Sequence, residues 1–252
     1  MREEFFLVFD IETVALPFDG FDKGQQEYLT RGAQTEEERE KKIGEMALSP
    51  LTSRVCCIGL QFMKHDGEKF TMVKRSAFAL DDTMGDEDDV EPEILADGSE
   101  MCRFSEKKIL EKFWKIFTGK YSRVCLISFN GRGFDAPFLM LRSALHHIRP
   151  TRNLMDGTKF NYKDHTDLLD ELCFYMPQQS GATRRYNFDF FAKAFGIVSP
   201  KAAGVDGSKV GELFKSGQLR EISEYCLRDV AATWELYEMW YTYLRFEKVS
   251  YF

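Results

Sequence analysis

No stretch of the chain approaches the ~20 consecutive apolar residues that a membrane-spanning helix needs, which excludes a helical membrane protein. The opening MREEFFLVFDIET does not read as a secretory leader. Its apolar run is short, it carries Asp10 and Glu12, and it lacks a small-residue cleavage site. Pairs of the C-x-x-C type are missing. The six cysteines, Cys56, Cys57, Cys102, Cys125, Cys173 and Cys226, stand scattered and mostly in apolar company. That argues against structural zinc and for reduced core thiols in a cytoplasmic protein. With four histidines and no His/Cys cluster, a metal site would be built from oxygen ligands, the donors of hard cations such as Mg²⁺ or Mn²⁺. The positive charge usual in a nucleic-acid-binding domain is also lacking, since the formal net charge is −7.

What is present is a chain of 252 residues, 44% hydrophobic and with 23 Phe, enough for an aromatic-rich core without disulfides. Its negative charge is concentrated in residues 81–100 (DDTMGDEDDVEPEILADGSE), which hold ten acids and no Lys or Arg. The remainder of the chain is therefore net positive, and residues 130–201 carry ten Lys or Arg against seven acids. Net charge alone does not exclude a polyanionic partner. The acidic segment reads as a flexible, solvated loop.

Local patterning predicts strands over 5–11, 54–63, 69–74 and 123–129. It predicts helices over 105–117, 134–146, 167–174, 188–195, 210–215 and 219–244. A long connection spans 14–50. Within it Thr35 and Glu38 have capping-box spacing and open a charged helix that ends near Pro50. Strands that come first and helices that then interleave predict one α/β domain over 1–252.

Four acids occupy positions where the pattern calls for apolar residues. Side chains alternate along a strand, so Phe6, Val8, Asp10 and Glu12 share a face, with the two carboxylates roughly 7 Å apart. Like charges that close on an apolar strand repel and are costly to desolvate, and a bound cation relieves both costs. The alternative is a strand that ends at Asp10 and leaves both acids in water. On the last helix Ile222, Cys226, Val230, Thr233 and Tyr237 form a buried stripe. Asp229 falls within it, and Tyr225, four residues earlier, stacks on the same face. A salt bridge from Asp229 to Arg228 or Arg220, and a core role for Tyr225, are the ordinary readings. Asp135 opens a helix after the turn Asn130-Gly131-Arg132-Gly133, where an Asp serves equally as a cap.

The order FDIET, NGRGFD, YCLRD resembles the three motifs of the DEDD superfamily of 3′→5′ exonucleases, in its tyrosine-bearing branch. The Asp-x-Glu motif is Asp10 and Glu12. Asn-x-x-x-Phe-Asp is Asn130, Phe134 and Asp135. Tyr-x-x-x-Asp is Tyr225 and Asp229. HTDLLD and YNFDFFAKAFGI, between the second and third motifs, are similar to segments of the proofreading exonuclease domain of family B DNA polymerases. The similarity runs from residue 5 to about 240, as in stand-alone PolB-like exonucleases.

The resemblance implies an RNase H-like (DnaQ-like exonuclease) α/β fold, a mixed central sheet with helices on both faces. It implies two divalent cations, Mg²⁺ or Mn²⁺, one held by Asp10, Glu12 and Asp229 and the other by Asp10 and Asp135. It gives Tyr225 the orientation of the attacking water, and gives Asn130 and the backbone near Thr13 contact with the terminal nucleotide. Phe134 packs beneath the site or stacks on a base. The implied reaction removes nucleoside monophosphates from a DNA 3′ end, with single-stranded DNA as substrate. A separate polymerase or repair partner is compatible with it, and no membrane is involved.

His165 and Asp170 have the spacing of the histidine branch. That assignment would strand Asp229 in an apolar stripe, so His165 reads as a polar strand-end residue. Arg132, Arg142, Arg149, Arg152, Lys159, Lys163, Arg184 and Arg185 are candidates for a backbone track. Arg184 and Arg185 beside Tyr186 suit single-strand binding best. The rival readings are RNA 3′-end trimming, which the motifs do not distinguish, a different RNase H-like nuclease such as an endonuclease, and a non-catalytic binding module on the same fold.

Overall fold

The computed structural model describes residues 3–199 and 207–246. Residues 1–2, 200–206 and 247–252, which the expected 1–252 domain includes, lie outside the described residues. The chain opens with β1 (Glu4–Ala15), then α1 (Lys23–Leu29) and α2 (Glu36–Glu45). Next come β2 (Ser53–His65), β3 (Phe70–Leu80), β4 (Glu93–Ile94), β5 (Glu100–Phe104) and α3 (Glu106–Ile116). The second half holds β6 (Cys125–Ser128), α4 (Asp135–Leu145), β7 (His165–Asp167), α5 (Leu168–Leu172), α6 (Phe188–Ala194), α7 (Val210–Lys215) and α8 (Leu219–Tyr243).

The seven strands form one mixed sheet in the order β4-β5-β3-β2-β1-β6-β7. β2 runs antiparallel to β1 and β3, while β6 is parallel to β1, β7 to β6 and β5 to β3. The carboxyl ends of β1, β3, β5, β6 and β7 therefore share one edge. Alternation along β1 divides the core. Leu7, Phe9 and Ile11 pack with Ile109, Leu110 and Phe113 of α3 and with Phe138 and Leu139 of α4. Phe6 and Val8 pack on the other face with Leu168, Ala192, Val230 and Tyr237 of α5, α6 and α8. Helices cover both faces, as expected for an RNase H-like α/β fold.

The caps follow local rules. The side chains of Thr35, Ser105 and Asn187 accept the first-turn N–H groups of α2, α3 and α6. Gly196 ends the turn after α6 at φ +74°.

Several expectations are corrected. β1 does not stop at Ile11. It pairs with β2 as far as Ala15, with a register irregularity between Glu12 and Thr13, so both acids lie inside a paired strand. α2 ends at Glu45, short of Pro50, and β3 runs six residues past Lys74. α1, β4 and β5 were not expected, and β7 carries the strand end read at His165 on to Asp167.

The acidic segment is solvated and mostly without regular structure, as expected, but it is anchored rather than free. β4 and the start of β5 lie within it, and its acids pair outward: Asp82 with Arg54 at 2.7 Å, Asp89 with Lys112 at 3.1 Å, Asp97 with Arg75 at 2.6 Å, and Glu93 with Arg220. Ser105 donates to Asp86 at 2.7 Å. Each exposed pair is weak, but together they tie the segment to β2, β3, α3 and α8. Arg75 and Lys112 lie close to it in sequence, whereas Arg54 and Arg220 are distant.

One glycine sets how closely α8 sits against the sheet. Gly59 faces Asp10 across the β1–β2 ladder. A Cβ there would lie 2.8 Å from Val230 Cγ2, 2.9 Å from Cys226 Sγ and 3.1 Å from the Cys226 carbonyl oxygen. Gly59→Ala should cost roughly 1–3 kcal/mol through overpacking. Because α8 must move, divalent-cation binding should weaken as well. Unfolding curves and calorimetric cation titration check both, and an unchanged midpoint would contradict the close approach.

Candidate active site

Three elements meet at the shared carboxyl edge. β1 carries Asp10 and Glu12 on the Phe6/Val8 face, turned toward α8. Carboxylate oxygens of both, and Sγ of Cys226 on α8, lie within 4.8 Å of one another. The Cys226 thiol donates toward the Asp10 backbone oxygen at 3.5 Å, which locks the helix to the strand. α4 brings Asp135. Phe134, not Asp135, occupies the N-cap position of α4, and Oδ1 of Asp135 accepts the N–H of Ile11 at 2.9 Å. This carboxylate, 4% exposed, is thereby fixed to the backbone between Asp10 and Glu12. α8 contributes Tyr225 and Asp229, which hydrogen-bond to each other.

Asp10, Glu12, Asp135 and Tyr225 are displaced from their ordinary ionisation, and burial is the largest cause of each shift. Burial, then the negative charges of Asp135, Asp229 and Glu12, hold the Asp10 carboxyl well above the usual carboxylate range. Glu12 is raised by burial and then by Asp229. Asp135 is pushed up to about 7 by burial, against the lowering effect of its backbone hydrogen bonds. Burial and the Asp229 carboxylate push the Tyr225 phenol upward, so it stays protonated and able to donate. Acids that raise one another in this way form a site whose charge a cation would compensate, and the oxygen donors suit a hard one.

Asp10, Glu12, Tyr225 and Asp229 line a cleft of about 230 Å³, with Phe129, Asn187, Phe188 and Asp189 as further walls; Asp135 is not among its lining residues. The four further walls went unnoticed as site residues. The Asn187 cap is legible locally, but only the packing of α6 against Phe129 brings it to the cleft.

Beside the cleft, the turn after β6 is held by a residue that local pattern placed only at a helix start. Asp167, 2% exposed, accepts the N–H groups of Asn130 at 2.8 Å, Arg132 at 2.9 Å and Leu169 at 3.1 Å. Asn130 sits at φ +61°, a conformation Asn tolerates better than most residues. A Cβ at Gly131 would fall 2.3 Å from Ser128 Oγ, and one at Gly133 2.5 Å from Asn130 Oδ1. Both glycines are thus steric requirements of the turn that delivers Asp135.

The expected substrate residues divide. Asn130 borders the site, but its Oδ1 accepts from Nη2 of Arg185 at 2.7 Å. The Thr13 hydroxyl donates to the Ala47 carbonyl at 2.7 Å and anchors the 14–50 connection. Phe134 packs against Phe138 and the core, the first of its two alternatives. Arg184 is exposed, with its guanidinium 4.8 Å from the Tyr186 ring centre.

Arg142 is no part of a surface track. It is buried, pairs with Glu106 at 2.6 Å and donates to the Pro50 carbonyl. Arg132 and Arg152 donate to backbone carbonyls. His165 lies buried in β7 with Nε2 2.8 Å from Ser128 Oγ. Its pKa is lowered to about 3 by burial, and it is not among the residues lining the cleft. Arg220, one suggested partner of Asp229, pairs with Glu93 instead.

The family described as a predicted 3′-5′ exonuclease related to the exonuclease domain of PolB matches residues 62–250. That span includes Asp135, Tyr225 and Asp229. Asp10 and Glu12 precede it and join the others only in three dimensions. Among solved structures, the chain is similar to the family B DNA polymerase of the hyperthermophilic archaeon Pyrobaculum calidifontis, with 16% identity and a TM-score of 0.52. The similarity covers 94% of this chain and 24% of that polymerase chain, and supports the RNase H-like α/β fold. No curated protein matches the chain.

The raised carboxylates have a pH signature. Asp135 titrates near 7 when folded and near the usual carboxylate value when unfolded, so the folded state binds the extra proton between them. Stability of the metal-free protein should therefore fall as pH rises from about 4 to about 7, and Mn²⁺ should restore it above that window. Asp135→Asn retains an acceptor for Ile11, so it should flatten the fall and shrink the Mn²⁺-induced rise in Tm. Thermal melts with chelator and with Mn²⁺ at both ends of the window measure this. A wild-type Tm indifferent to both would rule out a cation site here.

Proposed function

Because the chain belongs to the family of predicted 3′-5′ exonucleases related to the exonuclease domain of PolB, we propose that it hydrolyses the terminal phosphodiester of single-stranded DNA and releases nucleoside monophosphates. The observation that carries this reading is the convergence of Asp10, Glu12, Asp229 and Tyr225 from β1 and α8 on one cleft, with Asp135 of α4 bonded to the Ile11 N–H between the two β1 acids. DNA is favoured over RNA by the likeness to a DNA polymerase. All of 1–252 is assigned to this one exonuclease domain.

Asp10, Glu12 and Asp229 would hold one cation, and Asp10 with Asp135 a second. When bound there, Mg²⁺ or Mn²⁺ would lower the pKa of a water and offset charge on the leaving oxygen. The chain's own groups do the rest. The Asp135 bond to Ile11 N–H fixes the spacing of the α4 and β1 carboxylates. Tyr225, kept protonated, would turn its one O–H from Asp229 to the attacking water, orienting it rather than removing its proton. Asn130, held by Asp167 and Arg185, would contact the terminal nucleotide. The acidic cluster repels a phosphodiester until its charge is neutralised, so the reaction should stop with chelator.

The test is a 5′-labelled oligonucleotide incubated with Mg²⁺, Mn²⁺ or chelator. A ladder that shortens from the 3′ end, needs the cation and vanishes in Asp10→Ala is expected. Tyr225→Phe should lose about 10²-fold in rate, the scale of one positioned proton-donating group. Folded His165→Gln should stay near wild type. Cleavage of a circular single strand, or preference for an RNA oligonucleotide, would overturn the exonuclease or the DNA assignment respectively.

A further inference from the structure

Between the cleft and the Asn130 turn the chain holds a pair of rings that the hydrolytic site does not use. Tyr186 and Phe190 lie face to face, with centroids 4.0 Å apart and planes 9° from parallel. All the other ring contacts found among the described residues are tilted or edge-on, the usual arrangement in a packed interior. This stack is also open to water, since Phe190 is 53% exposed.

Its neighbours in the chain fix its place. Arg185, before Tyr186, holds Asn130, and Asn187 and Phe188, after it, line the cleft. The Arg184 guanidinium lies against the Tyr186 ring at 4.8 Å. The nearby carboxylate, Asp189, is engaged by Lys193 at 2.9 Å and by the Ser199 hydroxyl, so its charge is partly offset. A flat exposed aromatic surface backed by a cation, at the rim of a cleft, has the chemistry of a single-strand binding platform.

We propose that Phe190, stacked on Tyr186, receives a base upstream of the terminal nucleotide, with Arg184 against an adjoining phosphate. The proposal rests on the single-strand reading above and adds a second point of hold. A strand gripped only at its terminal nucleotide would be released at each cut, whereas one stacked upstream is retained.

The test crosses ring with base. Oligonucleotides carrying one abasic site at successive positions from the 3′ end are bound in Ca²⁺, with strand integrity checked on a gel, and affinity is read by fluorescence anisotropy. At one upstream position, loss of the base should weaken wild-type binding about 10-fold, within the range for base–aromatic stacking. The same loss should cost Phe190→Leu nothing, since Leu keeps the apolar bulk and removes the flat face. Phe190→Trp should restore the dependence. Equal losses in wild type and Phe190→Leu at every position, or no binding, would overturn the platform. Binding with the expected pattern but no shortening in Mg²⁺ or Mn²⁺ would overturn the exonuclease reading and leave the platform standing. Shortening with no position dependent on Phe190 would do the reverse.

Discussion

Mutual repulsion among Asp10, Glu12, Asp135 and Asp229 is the constraint to which the architecture around them answers. Burial raises the first three above the ordinary carboxylate range, and each is raised further by its neighbours. Such a cluster is costly to the folded state unless the backbone holds it or a cation neutralises it. The fold does the first by placing each acid on an element secured elsewhere. β1 is paired on both sides, α8 is seated against Gly59, and α4 begins at a turn that Asp167 grips with two backbone bonds. The cation requirement of the proposed reaction and the strain in the metal-free protein thus have the same source.

Support for the site is mostly backbone hydrogen bonding and close packing rather than ion pairing. Asp135 accepts from Ile11, Asp167 from the turn, and the Cys226 thiol from its helix donates to Asp10. The buried Glu106–Arg142 pair works at a distance, joining α3 and α4 and holding the Pro50 carbonyl at the end of the long connection. This economy leaves Asp10, Glu12 and Asp229 lining the cleft.

The acidic segment completes the charge distribution. Its partners, Arg54, Arg75, Lys112 and Arg220, would otherwise give the β3/β5 side of the sheet a positive surface. With these cations paired, Arg184 and Arg185, both exposed, remain beside the proposed strand path. A chain of net charge −7 can in this way still offer a polyanion a local foothold.

Much was legible in one dimension because it depends on neighbours in sequence. The β1 alternation, the Thr35 and Ser105 caps, the Tyr225/Asp229 face of α8 and the three motifs all follow from residues a few positions apart. Contacts between distant segments were not. That β1 runs on to Ala15 depends on β2, the ordering of 81–100 depends on cations elsewhere, and β7 is a strand only beside β6. Arg142 looked like a surface cation because nothing near it in sequence announces Glu106. Periodicity and side-chain chemistry thus determined which residues could face one another along one element. Tertiary structure decided which carboxylates meet, which cations remain exposed and where Asn187 and Phe188 stand, because burial and charge pairing depend on separation in space.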